Sequence, residues 1–225
     1  MLSIKNLNLD KLLLVLFLLI FINTVSALDC APFYDGMNNI TSINSNNGTI
    51  INYISFVPGI NINGSNFNGS NYINYFNSLF NSDSGAVSLW FKKNSNDTSG
   101  GIMQIGQIGL PNSIGIFYSL QNNVYFEMRG TNQYVQAASG NALSQSKFTY
   151  ITAIWNKKEN KHAIKLFING KYAGGNTLTA NFTHNQGLME IGRVGFYGNG
   201  EGIVDELRFF NRALLDSEVY AEYLY

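Results

Sequence analysis

The chain has 225 residues, of which only 12% are charged, and its 14 Lys and Arg balance 14 Asp and Glu to a formal net charge of zero. That balance leaves no electrostatic footprint for nucleic acid and no polybasic patch for anionic lipid, so surface polarity falls to Asn, Ser, Thr, Gly and Tyr. One cysteine, Cys30, excludes an internal disulfide and is either free or intermolecular.

Residues 1–27 read as a signal peptide. Lys5 and Lys11 precede an apolar run over residues 12–22, and Asn23-Thr24-Val25-Ser26-Ala27 puts small residues at the two positions a signal peptidase reads. The run would cross only about half of a ~30 Å hydrocarbon core, so no membrane span is expected after cleavage and the protein is expected to be secreted, extracellular or at the cell surface. Asp29, directly before Cys30, departs from a lipoprotein box. Residues 28–50 are Asn/Ser-rich with little periodicity and read as a polar leader. Residues 51–225 fit one domain, part of a chain large enough to bury roughly 70% of its unfolded surface.

Short apolar runs then recur between Gly, Asn and Ser, at 86–92, 101–108, 114–120, 124–128, 148–155, 162–168, 188–191 and 203–210. Regular strands with turn signals between them predict an all-β sandwich. Val87, Leu89 and Phe91 share one strand face, as do Ile164, Leu166 and Ile168. Asn169-Gly170 predicts a type I′ hairpin, because both turn positions need positive φ. Trp90 and Trp155 lie inside apolar strands and are expected in the core, while His162 and His184 are expected at the surface or a strand edge. One short C-terminal helix is predicted after Leu214, capped by Asp216 or Ser217, with Val219, Tyr220, Tyr223 and Leu224 on its packed side.

The blocks Asn66-Phe67-Asn68-Gly69-Ser70-Asn71-Tyr72-Ile73, Val87-Ser88-Leu89-Trp90-Phe91-Lys92, Ile154-Trp155-Asn156, Leu166-Phe167-Ile168-Asn169-Gly170-Lys171, Ile191-Gly192-Arg193 and Gly202-Ile203-Val204-Asp205-Glu206-Leu207-Arg208-Phe209-Phe210 occur in the order of a known family. The chain resembles laminin G-like, concanavalin A-like lectin/glucanase jelly-roll domains over residues 51–225. The resemblance implies a jelly-roll β-sandwich of two antiparallel sheets, and binding rather than catalysis as its work.

Catalytic signatures are missing from the sequence. Gly-x-Ser-x-Gly, His-Glu-x-x-His and phosphate-loop patterns do not occur. Two-carboxylate glycoside hydrolysis needs acids facing one another across the sugar, and strand alternation points the neighbours Asp205 and Glu206 to opposite faces. The expectation is therefore a non-enzyme.

Asp205 lies among apolar strand residues, where a carboxylate must be hydrogen-bonded, paired or bound to a cation. Two readings stay open. In one it accepts N–H groups from the turn over residues 68–72 or pairs with Arg193. In the other, implied by the resemblance, it joins oxygens of the turn around Gly69 and Asn71 in one structural calcium site, which needs six to eight oxygens. For ligand binding, the loops over 129–134 and 195–200 have a recognition composition, with Tyr118, Arg129, Tyr134, Tyr197 and Asn199 as candidates. Sequons stand at Asn39, Asn47, Asn63, Asn68, Asn96 and Asn181, each a glycan acceptor in a secreted chain. The functional expectation is a secreted binding or adhesion module for an extracellular glycan or a cell-surface protein. The competing expectation is a protein-interaction or cell-envelope structural module, with a glycosidase-like enzyme third.

Overall fold

The computed structural model describes residues 33–76, 83–95, 98–159, 161–183 and 188–225. Residues 1–27, expected to be a signal peptide, together with Cys30, His184 and the sequon asparagine Asn96, lie outside the described residues. In chain order the elements are β1 (Phe33–Asp35), α1 (Ile40–Ser45), β2 (Gly48–Ile51), β3 (Ser55–Pro58), β4 (Asn63–Asn68), β5 (Tyr72–Phe76), β6 (Ser84–Lys93), β7 (Gly100–Ile105), β8 (Ser113–Tyr118) and β9 (Asn123–Arg129). They continue with β10 (Tyr134–Asn141), β11 (Thr149–Lys158), β12 (Lys161–Ile168), β13 (Lys171–Leu178), β14 (Leu188–Ile191), β15 (Arg193–Val194), β16 (Gly198–Asn199), β17 (Glu201–Phe210) and α2 (Asp216–Leu224). No helix among the described residues is long and apolar enough to cross a membrane.

Two sheets face each other. The first runs β13-β12-β11-β6-β17-β4-β3, with β1 also paired to β17; the second runs β10-β9-β8-β7-β14-β5-β2. Pairing is antiparallel except for a single parallel bridge between Asn199 and Gly101. The expected sandwich is therefore present, and each of the eight expected strands has its counterpart. Val87, Leu89 and Phe91 from β6, Ile151 and Trp155 from β11, and Ile164 and Leu166 from β12 meet Ile114, Ile116, Val124 and Phe126 of the other sheet in one core. Trp155 closes that core between Phe126 and Phe209, with ring centroids at 6.5 and 5.9 Å. The hairpin at Asn169-Gly170 has φ of 50° and 73°, which only the mirror-image turn uses at both positions.

The polar leader is corrected over its described part. β1 pairs with β17, β2 pairs with β5, and Met37 and Ile43 are fully buried in the core. Isolated apolar residues among Asn and Ser gave no periodic signal, yet Met37 and Ile43 both join the main core. His162 is also buried rather than surface-lying, with its ring 5.4 Å from that of Phe182.

α2 covers the outer face of the first sheet. Ala86, Ile154, Phe167, Phe210, Leu214 and Val219 form a second apolar cluster there. These strands are buried on both faces, which is why 86–91 and 203–210 read as near-continuous apolar runs. Leu215, not Asp216 or Ser217, is the N-cap, and the Glu218 side chain accepts its N–H at 2.7 Å. The packed side of the helix is Val219, Glu222 and Tyr223; Tyr220 and Leu224 are exposed. Val219 to Glu222 to Tyr223 is the i, i+3, i+4 stripe, and a glutamate takes its middle place because Arg208 waits beneath it.

Candidate ligand-binding surfaces

On the outer face of the second sheet, β9 presents Glu127, fully buried and held by four hydrogen bonds from three side chains. Its carboxylate accepts from Arg129 Nη2 at 2.9 Å and Nε at 3.2 Å, from Gln136 Nε2 at 2.8 Å, and from the Tyr197 hydroxyl at 3.2 Å. Burial, then the neighbouring Glu127, pushes the Tyr197 hydroxyl up to about 12. Tyr197 also stacks on Phe117 with centroids 3.6 Å apart. Arg129, fixed from below, supports the ring of Tyr134 at 4.5 Å, a cation–π arrangement that leaves Tyr134 54% exposed. Two neighbouring grooves flank the loop 129–134. One of about 330 Å³ includes Arg129, Asn132 and Tyr134, and one of about 470 Å³ includes Thr131, Gln133 and Asn181.

The structure thus brings together three of the five ligand candidates, Arg129, Tyr134 and Tyr197. Tyr118 is corrected: it is 1% exposed and turned into the core, where its hydroxyl donates to the Glu201 carbonyl and accepts the Glu201 N–H. Ile114, Ile116 and Tyr118 alternate inward, so the outward place falls to Phe117. Asn199 stands apart, its amide donating to the Gly69 carbonyl at 3.1 Å. Glu127 and Gln136, which organise the group, were not anticipated. The i, i+2 pair Glu127 and Arg129 on one strand face was the available signal.

Around Asp205, β17 carries a bulge. Asp205 pairs with Trp90 and Arg208 with Ser88, three steps against two, and Glu206 takes the left-handed φ of 50°. Val204, Leu207 and Phe209 all enter the core. Asp205 and Glu206 are therefore on the same outer side, not on opposite faces as simple alternation requires. They still do not face each other across a cleft. Asp205 is fully buried, with Oδ2 accepting the Ile60 N–H at 2.6 Å and Oδ1 the Glu206 N–H at 2.9 Å. Burial pushes its carboxyl up to about 6 against these bonds, and the Glu206 charge adds to the rise. Gly59 permits the closeness, since a Cβ there would overlap Asp205 Oδ2 and stand 2.7 Å from the Asn63 carbonyl carbon.

The partner turn is thus 59–61, and neither the turn 68–72 nor Arg193 binds Asp205; Arg193 contacts Glu190 and the Tyr72 ring. The calcium set of Asp205, Asn71 and Gly69 does not meet. Glu201 is opposite Asn68, so Asp205 lies four residues, about 13 Å, further along the strand. Asn71 is occupied with the Asn68 N–H and the Tyr53 carbonyl. No cluster of three or more Asp, Glu, His or Cys suited to a metal exists among the described residues. These residues do not fit a calcium ion. Of the described sequon asparagines, Asn39, Asn47, Asn68 and Asn181 are exposed and Asn63 is half-buried.

Beyond the bulge lies a cleft of about 680 Å³ between β17 and α2, lined by Tyr34, Trp90, Glu206, Arg208, Glu222 and Tyr223 among others. Arg208 Nη1 donates to Glu222 at 2.8 Å and Nη2 to Glu206 at 3.3 Å. Burial alone would pull the Arg208 guanidinium down, but Glu222 and Glu206 beside it shift it upward, so it stays charged. Burial and a hydrogen bond to Glu206 push the Tyr34 hydroxyl up to about 12. Trp90, expected in the core, is half-buried on this outer face with Tyr150 and Tyr223, at 5.0 and 5.8 Å.

Residues 67–220 match the concanavalin A-like lectin/glucanases superfamily. The chain belongs to that superfamily. Among solved structures it is similar to domain 4 of AbnA, a GH43 extracellular arabinanase from Geobacillus stearothermophilus, solved in complex with arabinotriose: TM-score 0.61, 20% identity, 77% of this chain and 86% of that one. The binding domain of Paraclostridial Mosquitocidal Protein 1 gives TM-score 0.68 at 16% identity, over 88% of this chain and 52% of that one. The receptor binding domain of botulinum neurotoxin type G gives 0.64 at 13%, over 87% and 51%. The chain spans about half the length of these two toxin binding domains. No curated protein matches it.

Proposed function

We propose that the chain is a secreted, non-catalytic module that binds an extracellular glycan along the loop 129–134. One observation carries this reading: a half-exposed Tyr134 ring held flat over Arg129, itself locked by the buried Glu127, beside two polar grooves. An aromatic face supplies an apolar platform for a sugar ring, and Arg129, Asn132 and Gln133 supply orienting polar groups. Pre-organisation by Glu127 lowers the ordering cost of binding. That an arabinanase domain of the same fold was solved with arabinotriose supports the reading. Residues 1–27 would direct export.

A glycan array with the mature protein and with Tyr134→Ala tests the site. Selective glycan binding that Tyr134→Ala removes is expected. Absence of binding across a broad panel, or binding indifferent to the substitution, would transfer the function to a protein partner or to another face. Amino-terminal sequencing of exported protein should begin at Leu28.

A further inference from the structure

The cleft between β17 and α2 holds an unbalanced charge group. Glu206 and Glu222 flank one guanidinium, Arg208, which uses one nitrogen on each. Among the described residues, each glutamate's second oxygen, Oε1, is buried with no hydrogen-bond partner. Glu222 is 2% exposed and Glu206 7%. A buried carboxylate oxygen without a donor is costly, and two acids against one base leave one negative charge uncompensated. The neighbouring charges do not supply the balance. Asp205, next along β17, is acidic; Arg212 of the α2 entry is committed to Glu218, and Lys165 of β12 to Asp216. Tyr34, Trp90 and Tyr223 supply aromatic surface to the cleft, beside Ile60, Asn61 and Leu224.

We infer that this cleft is a binding site for a small ligand bearing a primary ammonium group. An ammonium brings the missing unit charge and up to three N–H donors to a cleft whose two carboxylates each lack one. The aromatic walls attract a cation and cover the stem that carries it. Calcium suits the cleft less, because it takes six to eight oxygens and would sit against Arg208. A volume of about 680 Å³ lies within the ~300–1,000 Å³ usual for small-molecule sites. A free alkylamine and an amino sugar share this chemistry.

The chain has two tryptophans, and Trp155 is fully buried, so Trp90 is a reporter placed in the cleft. Its fluorescence is titrated in the mature protein with n-pentylammonium and with glucosamine, against pentanol and N-acetylglucosamine as uncharged counterparts, and with calcium chloride alone. At least one ammonium compound is expected to give a saturable change at a concentration tenfold or more below that of its neutral counterpart. Which of the two does so distinguishes the free amine from the amino sugar. Glu222→Gln and Glu206→Gln are each expected to weaken that binding tenfold or more, and Trp90→Phe to remove the signal. If Glu222→Gln does not fold, Glu206→Gln decides. Saturation by neither ammonium compound, equal response to the neutral counterparts, persistence of binding in the glutamine variants, or saturation by calcium alone would each overturn the assignment.

Discussion

The outer faces of the two sheets each carry glutamate and arginine, and they differ in whether the acid is satisfied. Glu127 on the second sheet takes four hydrogen bonds, from Arg129, Gln136 and Tyr197, and has no acceptor to spare. Glu206 on the first sheet and Glu222 on the helix over it share one arginine, and each keeps an oxygen idle among the described residues. A saturated buried carboxylate fixes the side chains above it, which suits a rigid platform. An unsaturated one retains a local cost that a ligand can relieve. The same residue types thus build a scaffold on one face and an open demand on the other.

Removing the arginine from one face and the acid from the other should separate the two. Arg208→Ala leaves two buried carboxylates without their shared cation, and the expected loss is about 3–5 kcal/mol, the range for breaking a buried ion pair. Urea unfolding would measure it; a loss under about 1 kcal/mol would mean that water already screens the group. On the second sheet, Glu127→Ala strands Arg129, Gln136 and Tyr197 together, with an expected loss of about 1–3 kcal/mol. The same variant should weaken glycan binding, because Tyr134 loses the support of a fixed Arg129. Unchanged binding in a folded Glu127→Ala protein would deny the platform its foundation.

Asp205 sharpens the comparison through pH. Its carboxyl rises from the ordinary 3.8 to about 6 in the folded chain, so between those values the native state holds a proton that the unfolded state has released. On account of this group, stability falls as pH rises through that window and is flat above it. Thermal melts of the wild type and Asp205→Asn at closely spaced pH should show this falling component in the wild type alone. The asparagine side chain would also offer one acceptor fewer to the Ile60 and Glu206 N–H groups, lowering stability uniformly. A component running the other way in the wild-type difference would mean that those backbone N–H groups outweigh burial.

Most of the sandwich was legible because alternating or doubly buried strands advertise themselves. The same alternation, carried one step further, gave two site corrections. With Val87, Leu89 and Phe91 inward, Trp90 has to face out; with Ile114 and Ile116 inward, Tyr118 has to face in. The bulge at Glu206 had no such signal, since a left-handed glutamate carries no Gly or Asn to mark it. Glu222 was hidden for a related reason. A helix pattern assigns charged residues to solvent, and only the position of Arg208 across the sheet turns this one inward. Edge strand β10 was missed because Gln, Ser and Gly dilute its Val135 and Ala137 alternation.

The smallest effect on stability should be the most informative about function. Tyr134 is 54% exposed and contacts Arg129 through its ring face, so Tyr134→Ala removes an exposed cation–π contact of about 0.5–1 kcal/mol and little packing. Glycan affinity should fall far more, since stacking of a sugar ring has no substitute on that side of the groove. Tyr134→Phe keeps the ring and should retain most binding. If the phenylalanine variant loses as much as the alanine variant, the hydroxyl rather than the ring face makes the contact, and the sugar meets Tyr134 by its edge instead of lying over it.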